Sequence, residues 1–419
     1  MPMATLTEIA EGILESARAL DAYTSAQGLA PTSLTQHTLP TLAGDMEKTR
    51  KKLVDSTTEL KSLVQGPIGQ LYDVLFAFTD LMSIRFIYRH NIPSHVPLSG
   101  DISIPDLAEK TNLNPTRLRR YLHHTMTYRL FIESRPGHIA HSSTSRLLKE
   151  DPAALDTVGF LVEELTPAAT AVLEAEAKWP ESAEPNETGY NIAFDTRDSF
   201  YKEIAKEPHR ARRFGAAMRF MTAGTFYDIK HLIRGYDWGA LDVPGSVVVD
   251  VGGGQGGVSQ ALAGATAHTR FVVQDLEGTV REGLRVCPEH LRGRITFQAH
   301  DFFTEQPVAG ADVYFFRYIL HNWADKYSVE ILRNLIPALK DGARVLIYEF
   351  LLPEEAQTEW TRKQWRNLDM IQMLGWNSLE RTASDWKSLF ASVDPRLEFV
   401  GTITPEGSIV SLIEAVWRP

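Results

Sequence analysis

The string Asp250-Val251-Gly252-Gly253-Gly254-Gln255-Gly256-Gly257 joins a run of valines, Val247–Val249, to a helix-like segment. Glycines there let the turn be tight and let a ligand approach the backbone. Gly252, Gly254 and Gly257 also satisfy G-x-G-x-x-G, so a dinucleotide is one candidate ligand. The surrounding acids argue against it. Asp250 precedes the glycines, Asp275 ends the second expected strand, and Asp301 follows the third. A pyrophosphate is doubly negative and prefers a helix N-terminus with no carboxylate beside it. A ligand carrying a sulfonium and an ammonium, as S-adenosylmethionine (SAM) does, suits acidic walls. Asp275 does not discriminate, because an acid there holds a ribose in either ligand. Asp250 and Asp301 do. Ligands of open α/β sheets bind at the carboxyl ends of the strands, where all three acids fall.

The segment Asp312–Trp323 runs from a strand into a loop that carries His321. Imidazole is the side chain whose ordinary titration lies near neutrality, which suits a general base. Taken alone, one histidine among 13 is more often a helix cap or a core residue. Three segments together change that reading: Asp250–Gly257, Phe316–Asp325 with Arg333-Asn334-Leu335, and Asn377–Trp386. In order and spacing they resemble the plant and fungal small-molecule O-methyltransferases of the caffeate and flavonoid type. The likeness covers about residues 200–390 and extends through the N-terminal part to about residue 70. The first sixty residues only resemble the N-terminal extensions of fungal members.

The resemblance implies a class I SAM methyltransferase fold, SAM as cofactor, and His321 as the general base. Glu349 and Glu380 match the family's two supporting acids. A phenol with a pKa near ~10 is mostly neutral at pH 7, so its proton must leave as it attacks the methyl group. A carboxylate on the far ring nitrogen fixes the imidazole tautomer and stabilises the imidazolium. By the same carry-over Gly252, Asp275, Asp301 and Phe302 contact the nucleoside part of SAM, with Asp250, Gly254, Leu276 and Arg317 beside them. Arg317 stands where plant members usually have Lys, and the two are not interchangeable. Met218 matches a methionine lining the methyl-transfer site. Met370, Met373, Trp376 and Asn377 fall on a helix that lines the acceptor pocket in the family. Methionine and tryptophan form adaptable apolar walls suited to an aromatic or polyketide-like substrate.

Strands and helices alternate after residue 247 in the way a mostly parallel, doubly wound α/β sheet requires, with both faces covered. Its strands are expected at Val247–Asp250, Arg270–Gln274, Asp312–Phe316 and Arg344–Tyr348. Leu397–Thr402 and Ile409–Trp417 read as a terminal hairpin adding an antiparallel strand. Before the sheet, residues 156–236 read as helical. Residues 102–148 read as two short helices and a hairpin about Arg135-Pro136-Gly137, a winged-helix-like arrangement. Residues 4–64 read as amphipathic helices broken near Pro31–Pro40. The apolar run Ile68–Ile87, interrupted by Asp73, Asp80 and Arg85, is expected in a core or a dimer interface. The expected division is an N-terminal helical, winged-helix-like dimerisation domain over 1–155 and a SAM-binding domain over 156–419.

The chain has 419 residues, a net charge of -10 and no long basic run, which disfavours nucleic acid as a partner. Arg117, Arg119 and Arg120 on the candidate recognition helix are the only feature favouring a DNA-binding regulator. The one cysteine, Cys287, excludes an internal disulfide framework, and no Cys/His cluster has zinc spacing. No apolar run reaches the ~18 residues a span needs. A metal-free, cytoplasmic homodimeric enzyme acting on a small molecule is expected. The alternative keeps fold and SAM but catalyses dehydration or a pericyclic rearrangement without methyl transfer. A NAD-dependent oxidoreductase is disfavoured by Asp250.

Overall fold

A computed structural model describes residues 4–35, 42 and 44–419. The chain forms two compact units. The first comprises Met1–Ala171, Tyr201–Thr222 and Thr358–Gln364; the second holds Val172–Phe200, Ala223–Gln357 and Trp365–Pro419. The division is therefore interleaved, in place of the single boundary near residue 155 that the sequence suggested. Helices on either side of that boundary share one core, in which Ala154, Leu155 and Val158 pack with Phe220.

In the first unit, helix α1 (Leu6–Ala26) starts with a capping box between Thr5 and Glu8. Part of the expected connector Pro31–Pro40 lies outside the described residues. The helical run α2 (Gly44–Leu75) breaks at Gly66, with φ of 70°, immediately before Pro67. Proline lacks the amide that would continue the ladder, and glycine alone takes that φ without strain. Helix α3 (Ala77–Arg89) follows. The apolar run Ile68–Ile87 is thus split between two helices, and much of it is not core. Ile68, Leu71, Val74, Phe76, Phe78 and Met82 are each more than half exposed.

The expected helix pair and hairpin are present. Strand β1 (Ile102–Ser103) leads into α4 (Ile104–Thr111), then α5 (Pro115–Thr127), β2 (Phe131–Arg135) and β3 (His138–His141). Ser103 and Asn114 cap the two helices by accepting from the amides of Asp106 and Arg117. The strands pair antiparallel in the order β1-β3-β2 over a core that includes Ile104, Leu107, Leu118, Leu122 and Phe131. Helices α6 (Pro152–Phe160) and α7 (Pro208–Met221) also belong to this unit.

The second unit is built on a seven-stranded sheet. Its parallel strands are β4 (Val247–Val251), β5 (Arg270–Asp275), β6 (Ile295–Ala299), β7 (Val313–Arg317) and β8 (Arg344–Glu349). In the hairpin of β9 (Leu397–Ile403) and β10 (Ser411–Trp417), β10 pairs antiparallel with β8 and β9 pairs antiparallel with β10 at the edge. The spatial order is β6-β5-β4-β7-β8-β10-β9. The chain builds outward from β4 to β6 and returns to the other side of β4 with β7. The switch point lies between β4 and β7, where such sheets open a crevice at their carboxyl ends. Alternate residues fill opposite faces. Val249, Phe316 and Ile347 join a core with Trp386 and Phe390, whereas Val248, Phe315 and Leu346 pack with Leu262 and Phe271. Helices α8 (Gly257–Ala265), α9 (Asp325–Arg333) and α11 (Ala383–Val393) supply much of that cover. Helix α10 (Trp360–Trp376) begins in the first unit and ends in the second. Among the described residues no helix is long and apolar enough to cross a membrane.

Candidate active site

The glycine loop leaves β4 and turns into α8. Gly252, Gly254 and Gly256 have φ of 70°, 60° and 77°, a region open mainly to glycine. The loop is tied to the end of β5: the Gly253 amide donates to the Gln274 carbonyl at 2.9 Å, and the Gly254 amide to Asp275 Oδ2 at 3.0 Å. The other oxygen of Asp275 accepts from the Leu276 amide at 2.8 Å, and Leu276 itself is exposed. A side chain at Gly252 would strike Ile319 at 2.5 Å, whereas one at Gly254 would meet nothing within 4 Å. The loop is pressed against the His321 segment at one glycine and open at another. That open backbone is a cradle a ligand can approach. The half-buried acid Asp275 beside it suits a nucleoside, so the residues present fit SAM.

Asp250 departs from the exposed acidic wall expected of it. Its side chain is buried and accepts from Ser259 Oγ at 2.6 Å. Burial pushes its carboxyl up to about 6, against the opposing effects of Ser259 and the Arg317 charge. It fastens the start of α8 to β4, and a Cβ at Gly253 would lie 2.6 Å from its carboxyl carbon. Asp301 is exposed and accepts from the Phe303 amide at 3.0 Å, closing the turn after β6. Phe302 is packed 6.1 Å from Trp323, ring to ring, and close to Gly252. Arg317 ends β7 and stacks its guanidinium 4.7 Å from the Tyr318 ring, with its Nε buried and unpartnered.

The His321 loop is short and irregular. Tyr318 takes φ of 55°, and Leu320–Asn322 form a single tight turn. This fold-back aims the amides of Ile319 and Leu320 at Glu349 Oε1, at 2.9 and 2.7 Å. Glu349 ends β8 and is fully buried. Burial raises its pKa, and its Oε2 has no hydrogen-bond partner. Its hydrogen bonds hold the loop, not the imidazole. The imidazole belongs to Glu380, whose Oε1 lies 2.8 Å from His321 Nδ1. Glu380 reaches this place because Arg381-Thr382 pair in parallel with Leu351-Leu352, just past the end of β8.

Sequence reasoning missed two further parts of this network. Gln372 Nε2 lies 3.1 Å from His321 Nδ1 and donates to Glu380 Oε1 at 3.5 Å. Asp369 accepts from the Glu380 amide at 3.0 Å. Both lie on α10, three residues apart and so on one face, which is the signal the sequence held. For His321, burial alone would push the pKa down; the charge and hydrogen bond of Glu380, with the charge of Glu349, outweigh it and leave the pKa raised. An aromatic wall runs beside the base. Tyr318 is 5.7 Å from His321 and 5.9 Å from Phe350, which is 6.0 Å from Tyr227.

The expected substrate wall divides. Met370 is more than half exposed and Met373 partly buried. Trp376 is buried, its ring 4.8 Å from that of Phe200, so it packs as core. Asn377 adopts φ of 50° and donates its amide to the carbonyls of Glu184 and Glu187, both at 3.0 Å. Its donors fasten a loop and are spent there. Met218 lies on α7 of the first unit.

Residues 181–393 match the family model of the O-methyltransferase domain. The chain is 39% identical to a chlorophenol O-methyltransferase of Trichoderma longibrachiatum, across 98% of this chain and 89% of that protein. It is 38% identical to the grayanic acid biosynthesis cluster O-methyltransferase of Cladonia grayi, across 90% and 80%. A solved structure titled a pericyclic reaction enzyme shares the fold at a TM-score of 0.72 and 21% identity, covering 97% of this chain and all of that one. A glycine cradle at the switch point, a part-buried histidine paired with a buried carboxylate beside it and these relatives converge: the chain belongs to the O-methyltransferase family and is a SAM-dependent O-methyltransferase.

Proposed function

We propose that the protein methylates a hydroxyl of a small aromatic or polyketide-like metabolite, with His321 as the general base. One observation carries this reading: the 2.8 Å contact between His321 Nδ1 and Glu380, beside the glycine loop. SAM, when bound, supplies an electrophilic methyl group on a sulfonium. Asp275, Gly252, Gly254, Leu276, Asp301 and Phe302 would hold it. Glu380 accepts a hydrogen bond from the Nδ1–H of His321 and holds that tautomer, so Nε2 is the nitrogen that accepts the proton of the acceptor hydroxyl. Glu349 holds the loop that presents the ring. Tyr318, Phe350 and Tyr227 exclude water and favour a flat apolar acceptor, and Met370 and Met373 extend that wall. The relatives include an enzyme named for chlorophenol, which supports a phenolic acceptor.

The same reading makes the first unit a dimerisation domain and the enzyme a cytoplasmic homodimer. The exposed apolar residues of α2 and α3 support a second copy as their cover. The experiment is incubation with methyl-labelled SAM and a panel of phenols. A labelled methyl ether, with S-adenosylhomocysteine released in equal amount, is the expected result. Turnover of a substrate without that release would instead establish the dehydrating or pericyclic alternative.

A further inference from the structure

Arg381 follows Glu380 directly in the chain and is 1% exposed. Its guanidinium donates to the Leu320 carbonyl at 3.1 Å and to the Trp323 carbonyl at 2.9 Å. It also reaches Ser328 Oγ at 3.1 Å and Asp325 Oδ1 at 2.9 and 2.7 Å. Its cationic carbon sits 5.0 Å from the Trp386 ring. Leu320 and Trp323 stand on either side of His321. One buried side chain therefore grips the loop before and after the base, and its chain neighbour is the carboxylate on that base.

We propose that Arg381 is the positioning residue that sets His321 against Glu380. The loop has one tight turn and no regular ladder, so its inward carbonyls need donors from elsewhere. A planar fork with five donors satisfies both carbonyls and the Asp325 carboxylate at once; an ammonium on a flexible stem cannot. The connection is rigid at both ends, one covalent and one through the fork. A shift of Arg381 moves Glu380 and the His321 loop together.

The same cation acts on the charge balance around the imidazole. Glu380 and Glu349 face His321 as anions, Arg381 as the opposing cation, and Tyr318 and Gln372 as neutral groups. Asp369 and Tyr227 act one step away, through Glu380. Arg381 lowers the pKa that the two carboxylates raise, so the base releases its proton more readily than it would between two acids alone.

This inference rests on His321 as base, and the test separates the two. Arg381→Lys and Arg381→Met are compared with the wild type by kcat, SAM affinity, melting temperature and the imidazole 15N titration of His321, assigned by its loss in His321→Gln. Arg381→Lys keeps a cation but loses the fork; its kcat should fall ~10²-fold, the cost of a misplacement of about 1 Å, with SAM affinity retained. Its His321 titration should stay near that of the wild type. Arg381→Met should move that titration to higher pH. If Arg381→Met does not fold, Arg381→Lys alone decides. Wild-type turnover in Arg381→Lys, with a wild-type His321 titration, overturns the proposal. Full turnover in His321→Gln would overturn the base and leave the 15N data to judge Arg381.

Discussion

His321 Nδ1 lies 2.8 Å from Glu380 Oε1, so one carboxylate decides which face of the imidazole works. With Nδ1–H committed, Nε2 alone can take a proton. His321→Ala should retain SAM binding and lose ~10²–10⁴-fold in turnover, the usual contribution of a general base. The residual rate should climb with pH as the acceptor ionises unaided. Full methyl transfer by this variant at neutral pH would remove His321 from the mechanism.

The pH profile follows from the raised pKa of His321. The base works deprotonated, so raising its pKa moves the acidic limb of kcat/KM above the ordinary histidine value of 6.5. Glu380→Gln removes the charge that raises it, and the limb should move to lower pH. A profile in which the limb stays in place would show that Glu380 does not face the titrating group.

Glu349 should behave differently, because its Oε1 accepts the Ile319 and Leu320 amides. Glu349→Gln keeps an acceptor there and should cost little turnover. Glu349→Ala leaves the buried Leu320 amide and the part-buried Ile319 amide unpaired, at roughly 1–3 kcal/mol for the buried one. Thermal melting and kcat, measured on both variants, check this; equal losses in Gln and Ala would contradict it.

Asp275→Ala should weaken SAM affinity about 10- to 150-fold, the range for losing a charge-assisted hydrogen bond of roughly 1.5–3 kcal/mol. It also frees the Gly254 amide from Asp275, which adds loop mobility to the loss. Calorimetry is the measurement, and unchanged affinity would exclude Asp275 from the site.

Activity should survive a chelator, since the proton goes to His321 and no step needs a Lewis acid. Among the described residues no three His, Cys, Asp or Glu side chains gather as a metal site. Loss of activity in chelator with recovery in magnesium would require a different mechanism.

In solution the protein should have the mass of two chains by light scattering at micromolar concentration. Leu71→Glu with Phe78→Glu, on the exposed apolar stretch, should return it to one. A monomeric wild type would count against the dimer.

Local signals carried far in this chain. Valine runs ending in glycines fix a strand and its turn within ten residues. Caps such as Ser103 and Asn114 start helices by chemistry three residues long. The strands β4, β5, β7 and β8, the terminal hairpin, the glycine loop and His321 just past the end of a strand were therefore legible, whereas β6 (Ile295–Ala299) was given no bounds. Such patterns depend on neighbours in sequence.

The tertiary structure decided which acid does what. Glu349 and Glu380 read alike in the sequence, yet one accepts loop amides and the other the imidazole, across 59 residues. That depends on β8 lying beside β7 and on a two-residue parallel pairing after it. Asp250 turned inward because its strand is buried on both faces, and Asn377 spent its amide on loop carbonyls. Arg381 carried no signal of its role at all. Its partners lie more than fifty residues upstream, and only the packing of β8, α9 and α11 brings a guanidinium to the carbonyls on both sides of His321.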